Sequence, residues 1–178
     1  MRTISTLLAL GLVATGVIGT AGSASAATAV VKDGADATAS LTDVLRMKVR
    51  HGQHRVVVRT KHTNLKRRNA AGASIYLDTE PERSGPEFVV DLGLGRGTDY
   101  QLTKVRAWKR VGDPRVCAFT VELDPAADTV KVKLPRTCLR TPEEVRVSLK
   151  MRDEADGSHP VTDWVPGRRA WTSWLGAA

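Results

Sequence analysis

Nine basic residues and no acidic residue occupy positions 44–77. They are Arg46, Lys48, Arg50, Arg55, Arg59, Lys61, Lys66, Arg67 and Arg68, and His51, His54 and His62 share the stretch. A single-sign run of this kind raises the local concentration of anions and offers them ionic contact. The chemistry it suggests is the capture of a wall polymer, an acidic polysaccharide, a phosphate headgroup or a nucleic acid, with nucleic acid the least favoured. Arg46, Arg50, Arg55 and Arg59 are the candidate anion-binding residues. The competing reading is structural: a neighbouring strand could supply the balancing acids, for example from Asp91, Glu87 or Glu122.

Other residue groups carry weaker chemical signals. Cys117 and Cys138 are the only cysteines, and an isolated pair in an exported chain reads as one disulfide. His51 and His54 flank Gly52-Gln53 and could meet across a tight turn, but two imidazoles fall short of the three or four ligands a zinc site needs. Asp33-Gly34-Ala35-Asp36 and the Asp124/Asp128 pair read as turn chemistry, since calcium needs more oxygens than either offers alone. Gly93-Leu94-Gly95-Arg96-Gly97 follows a strand, but no helix follows it, so it reads as a hairpin loop rather than a phosphate cradle. Among the four tryptophans, Trp171 and Trp174 are the candidate sugar-stacking residues, against the default of buried packing. A nucleophile elbow and a His-Glu-x-x-His motif are both absent from the sequence. No catalytic residue, metal site or cofactor is assigned.

These residues sit on a chain that reads as strands, because apolar residues recur with period two between turn signals. Leu45, Met47 and Val49 alternate with Arg46, Lys48 and Arg50, and Val56, Val58 and Thr60 with Arg55, Val57 and Arg59. A two-residue turn at Gly52-Gln53 would oppose Arg50 to Arg55 and Arg46 to Arg59, an arrangement of like charges that costs stability. Further strands are expected around Ile75, Phe88 to Leu92, Tyr100 to Trp108 with a bulge near Thr103-Lys104, Cys117 to Leu123, Val130 to Leu134, and Val145 to Met151. Pairing Leu123 with Val130 leaves Cys117 near Arg136, where a bend after Pro135 could bring the thiols together. A last short strand is placed near Trp171 in an otherwise loop-like tail. The fold class is all-β: an antiparallel, jelly-roll-like sandwich of eight or nine strands with one disulfide.

The N-terminus sets the compartment. Arg2, the apolar run from Leu7 to Ile18 and the small residues Ala24-Ser25-Ala26 have the layout of a secretory signal peptide spanning 1–26. Arg2 is the one charged residue of that segment, so its removal lowers the formal charge from +8 to +7. The expected organisation is signal peptide 1–26, a flexible extension 27–42 and a sandwich domain 43–178, with no membrane span after cleavage.

The order of several segments resembles that of small secreted proteins of high-GC Gram-positive bacteria. The carrying residues are Asp43-Val44, His54 to Val58, Leu65, Gly85-Pro86-Glu87-Phe88, Val116-Cys117, Lys133 to Leu139, Val145-Arg146-Val147 and Asp163-Trp164. A more distant, architectural resemblance is to the sandwiches that include DOMON domains and family-9 carbohydrate-binding modules. It implies a disulfide-linked sandwich that binds rather than reacts. The expected function is a secreted, non-catalytic protein, extracellular or wall-associated, that binds an anionic wall polymer or polysaccharide. A secreted hydrolase with scattered acids and a protein-interaction or structural module are the alternatives, and the oligomeric state stays open.

Overall fold

The computed structural model describes residues 26–95 and 97–178. The expected signal peptide lies outside the described residues except for Ala26. Twelve strands are present among them: β1 Ala27–Lys32, β2 Val44–His51, β3 Arg55–His62, β4 Ala71–Asp78, β5 Phe88–Gly93, β6 Tyr100–Arg106, β7 Lys109–Val111, β8 Thr120–Asp124, β9 Thr129–Pro135, β10 Glu144–Asp153, β11 Val161–Val165 and β12 Leu175–Gly176. Sheet I has the order β1-β2-β3-β9-β8, and sheet II the order β11-β10-β4-β5-β6-β7 with β12 against β10. All pairings are antiparallel. The expected antiparallel sandwich is what forms, with more strands than the eight or nine read from local patterning.

The period-two alternation decides which side chains enter the core. Met47, Val49, Val56, Val58, Val130, Val132 and Leu134 of sheet I meet Ile75, Leu77, Val90, Leu102, Val147, Leu149 and Met151 of sheet II, all buried. Burial of each such side chain contributes roughly 1.5–3 kcal/mol. The Leu123–Val130 and Val121–Val132 pairings form as expected. Past Pro135, a 3₁₀ turn over Arg136–Leu139 swings Cys138 back, and the Cys117–Cys138 disulfide closes with Cα atoms 5.9 Å apart.

Five local expectations are corrected. The segment expected to be a loose extension contains β1, which lies along β2 from Ala27 opposite His51 to Lys32 opposite Arg46. After it, Ser40 and Thr42 are buried, and the Ser40 hydroxyl donates to Asp153 at 2.5 Å. The β2–β3 turn sits one residue later than expected: Gly52 N–H donates to the Arg55 carbonyl at 3.0 Å and His51 pairs with Val56. The two registers keep the same residues inside, because a slip by an even number preserves strand faces, so the apolar pattern could not choose between them.

The expected bulge near Thr103-Lys104 is absent, and the β5–β6 register runs unbroken from Phe88–Lys104 to Leu92–Tyr100. The phase change arises because Thr103 and Val105 are buried on the outer face of sheet II, where Tyr76 and Val89 form a second apolar cluster with Trp108, Trp164 and Trp171. The strand also ends earlier: Ala107 and Trp108, at φ 49° and 66°, make a two-residue turn into β7. In the tail, Trp164 lies within β11 and the last strand is Leu175–Gly176, not a segment at Trp171.

Candidate functional site

The outer face of sheet I gathers the basic residues into one array. Antiparallel register sets them in rows across the strands. Lys32, Arg46 and Lys61 form one row, and Lys48, Arg59 and Lys131 a second. Arg50, Val57 and Lys133 form a third, and Arg55 lies beyond it opposite Pro135. Arg46, Arg50, Arg55 and Arg59 therefore share one face, but the pairs expected from the sequence do not form. Arg50 faces Val57 rather than Arg55, and Arg46 faces Lys61 rather than Arg59, because of the shifted turn. Like charges are still opposed, now as Lys48–Arg59 and Arg59–Lys131.

Acids reach only the far side of this array. From β8, Glu122 pairs with Lys131 at 3.4 Å and also with Lys133. From the β8–β9 turn, Asp128 pairs with Lys61 at 3.1 Å and accepts the Leu65 amide at 2.9 Å. The Lys133 hydrogen bond holds the Glu122 carboxyl below its usual range, as the Lys61 hydrogen bond does for Asp128. Asp91 and Glu87, the other conceivable sources of balance, belong to β5 and its approach on sheet II. Among the described residues, Arg46, Lys48, Arg50, Arg55 and Arg59 are exposed and make no salt bridge.

The two tryptophans singled out for sugar stacking flank a guanidinium. The Arg146 guanidinium carbon lies 4.5 Å from the Trp174 ring centroid and 5.1 Å from that of Trp171. Trp171 also packs on Trp108, with centroids 5.0 Å apart. Neither residue belongs to a strand, and both are half-buried. Arg146 is anchored below by Asp78, whose Oδ2 accepts from its Nε at 2.9 Å and its Nη2 at 2.7 Å.

Asp78 is fully buried, and among the described residues no standing N–H or O–H group reaches its Oδ1. The nearly buried Glu87 carboxyl lies beside it. Burial first, and then the charges of Asp78 and Glu80, push the Glu87 carboxyl up to about 7 against the amide bond from Thr79. This is a buried carboxyl pair under a cation and two indoles.

The histidines divide by strand face. His51 points inward and its Nδ1–H donates to the Leu175 carbonyl at 2.7 Å, whereas His54 lies exposed at the turn. Their rings are thus on different faces. His62 is buried, its Nδ1–H donating to the Thr42 carbonyl at 2.7 Å and its Nε2 accepting from Thr60 at 2.8 Å. Burial lowers both the His51 and His62 pKa values.

One group of possible metal ligands was only partly legible in the sequence. Asp33 and Asp36, read as turn residues, are joined by Asp163 of β11, and their carboxylate oxygens lie within 4.8 Å of one another. Burial raises the Asp163 carboxyl to about 6, with the charges of Asp33, Asp36 and Asp43 adding to the effect, while its Oδ2 accepts the Val44 amide at 2.9 Å. Three carboxylates at that spacing could hold a hard cation. Local patterning showed the Asp33/Asp36 pair but not Asp163, since β11 reaches β1's exit only through the fold. Arg96 of the Gly93–Gly97 segment lies outside the described residues; Gly93 ends β5, and Leu94 is buried in the main core.

No protein-family model matches this chain, and no curated protein matches it in sequence.

Proposed function

We propose that this protein is an exported, non-catalytic binding module that docks the outer face of sheet I onto an anionic polymer of the cell envelope or its surroundings. The observation that carries the reading is the cluster of five exposed cations, Arg46, Lys48, Arg50, Arg55 and Arg59, on adjacent strands with no carboxylate in salt-bridge range among the described residues. Each exposed ion pair contributes only about 0.2–1 kcal/mol. An array gains through multiplicity, because contacts after the first are intramolecular. Neighbouring rows lie roughly 7 Å apart along the strands and neighbouring strands about 4.8 Å apart. A chain with repeated phosphates or carboxylates can meet such a lattice in many registers and needs no pocket.

Export is the other half of the reading. It rests on the signal-like segment at 1–26, the resemblance to small secreted Gram-positive proteins, and the use of both cysteines in one disulfide. Among the described residues no helix is long and apolar enough to cross a membrane.

The test is co-sedimentation of the oxidised protein with purified cell-wall material at low and high salt, using the wild type and Lys48→Glu/Arg59→Glu. Binding that fades with salt and is lost in the double variant supports the proposal. Wild-type and variant protein sedimenting equally would refute the assigned face.

A further inference from the structure

A second surface, on the opposite side of the sandwich, has different chemistry. Across the outer face of sheet II the ladders align Lys150 with Ser74, Ser74 with Asp91, and Asp91 with Gln101. The next row aligns Arg152 with Gly72 and Gly72 with Gly93. Gly72 leaves the floor without a side chain there, the Thr98 side chain covers Gly93, and a groove of about 490 Å³ runs along this row. That volume lies in the range of small-ligand sites.

The walls are polar and pre-arranged. Arg110 grips Asp91 in bidentate fashion, with Nε to Oδ2 at 2.6 Å and Nη2 on Oδ1. The Ser74 hydroxyl donates to the same carboxylate at 2.6 Å. On the opposite wall Arg152 donates to Glu154 at 2.6 Å. Tyr76, the one aromatic residue of the lining, is only 8% exposed and packs between Trp108 and Trp164, and Lys150 lies over Trp164 at 5.7 Å. The groove is thus an interleaved set of donors and acceptors beside a single, nearly buried tyrosine.

We propose that this groove binds a neutral glycan chain. Charge decides against an ion: Asp91, Asp99 and Glu154 are balanced by Arg110, Lys150 and Arg152 along the lining. Sugar hydroxyls donate and accept at once, so neighbouring hydroxyls can use the free lone pairs of Asp91 and Glu154 together with the N–H groups of Arg110, Lys150 and Gln101. A peptide is less well served. The strands β4, β5 and β10 are each paired on both sides, so no edge is free for strand addition. The apolar lining is limited to alanines, Leu92 and the Tyr76 ring, which gives no pocket for a large apolar side chain. This site is independent of the sheet I face, so the chain carries one salt-sensitive surface and one salt-insensitive groove.

The experiment is a titration of isotopically labelled, oxidised full-length protein with linear neutral hexasaccharides (β-1,4-glucan, β-1,4-xylan, α-1,4-glucan and chitin), followed by amide chemical shifts at low and high salt. The expected result is that at least one hexasaccharide moves the amides of Gly72, Ser74, Asp91 and Gln101, with an affinity that salt leaves unchanged. Ser74→Arg, which fills the groove from a surface position, and Gln101→Ala should each weaken that binding by about tenfold or more. Lys48→Glu/Arg59→Glu should leave it intact, which separates this proposal from the docking face. Spectra unchanged outside the groove serve as the check that the variants fold. The proposal is overturned if no hexasaccharide moves these amides, if the shifts centre on Trp171 and Trp174 instead, if Ser74→Arg binds as the wild type does, or if only a mixed-charge peptide enters the groove.

Discussion

Lys48 and Arg59 occupy directly opposed positions of the β2–β3 ladder, and Arg59 is opposed again by Lys131 of β9. Three cations lie in line across three strands, and the row meets an acid only at its end, where Glu122 of β8 opposes Lys131. Cross-strand pairs of like charge are destabilising by a few tenths of a kcal/mol or more. A surface shaped for stability alone would break this row.

A single Arg59→Glu substitution should therefore raise stability by about 0.5–1 kcal/mol, since it converts two repulsive cross-strand pairs into attractive ones. The same substitution should weaken wall binding. Urea denaturation at low salt measures the first effect and co-sedimentation the second. A variant that is both less stable and fully competent to bind would contradict the role given to this row.

Replacing both cysteines by serine should cost about 3 kcal/mol, the loop entropy expected for a closure of this length. The separation of Cys117 and Cys138 is 21 residues. The comparison is the urea midpoint of Cys117→Ser/Cys138→Ser against the oxidised wild type. A loss well below about 1 kcal/mol would mean that β9 and the 3₁₀ turn hold this region unaided.

The Asp78–Arg146 pair is the buried ionic contact of sheet II, with Asp78 at 0% and Arg146 at 26% side-chain exposure. Arg146→Ala should cost about 3 kcal/mol, because it leaves Asp78 charged and enclosed while removing the cation between Trp171 and Trp174. Combining it with Asp78→Asn should recover part of that loss. Thermal unfolding of the two single variants and the double variant gives the coupling; strict additivity would show the pair to be uncoupled.

Glu87 gives the protein a pH dependence whose sign follows from its direction of shift. Its folded pKa, about 7, lies above the ordinary carboxyl value of 4.5. The folded state thus binds the extra proton, and the stability this contributes is full below pH 4.5 and is lost as pH rises through 7. Glu87→Gln keeps an acceptor for the Thr79 amide and removes the charge that Glu87 gains as pH rises. It should match the wild type at low pH and exceed it above neutrality. His51 and His62 act in the opposite sense: their lowered pKa values give stability above 6.5 that is lost as pH falls. Melting temperatures of wild type and Glu87→Gln across this range test the assignment, and parallel curves would reject it.

Ala107 and Trp108 close the β6–β7 hairpin with positive φ at both central positions. That conformation costs about 1–2 kcal/mol for a residue bearing a Cβ, and asparagine or glycine tolerates it better. Trp108 is held there by Tyr76, Trp164 and Trp171, whereas exposed Ala107 has no such compensation. Ala107→Gly should stabilise the fold by about 0.5–1 kcal/mol in chemical denaturation. A destabilised variant would show that the turn is not strained at this position.

Alternation of side-chain type made the faces of β2, β3, β8, β9 and β10 legible from residue order alone, because a strand buries every second residue whatever it pairs with. The lone cysteine pair likewise made the disulfide legible by count. Position along the ladder was not legible. An even slip leaves every face unchanged, so the contacts of Arg46, Arg50, Arg55 and Arg59 depended on where the β2–β3 turn closed. Elements without an apolar stripe of their own were also hidden: β1 has only alternating half-burial, β7 is wholly exposed, and β12 is two residues long. They exist because a neighbouring strand offers its backbone.

The candidate sites divide in the same way. The basic face was visible because its residues are neighbours in sequence on one hairpin. The sheet II groove joins Gly72 and Ser74 of β4 to Asp91 of β5, Gln101 of β6 and Lys150 of β10, and the acidic cluster joins Asp33 and Asp36 to Asp163. Local sequence determined strand faces, surface charge and the covalent link, since these follow from periodicity and residue type. Tertiary structure alone decided which distant strands became neighbours, because pairings such as β3 with β9 and β4 with β10 are selected by the closure of a common core.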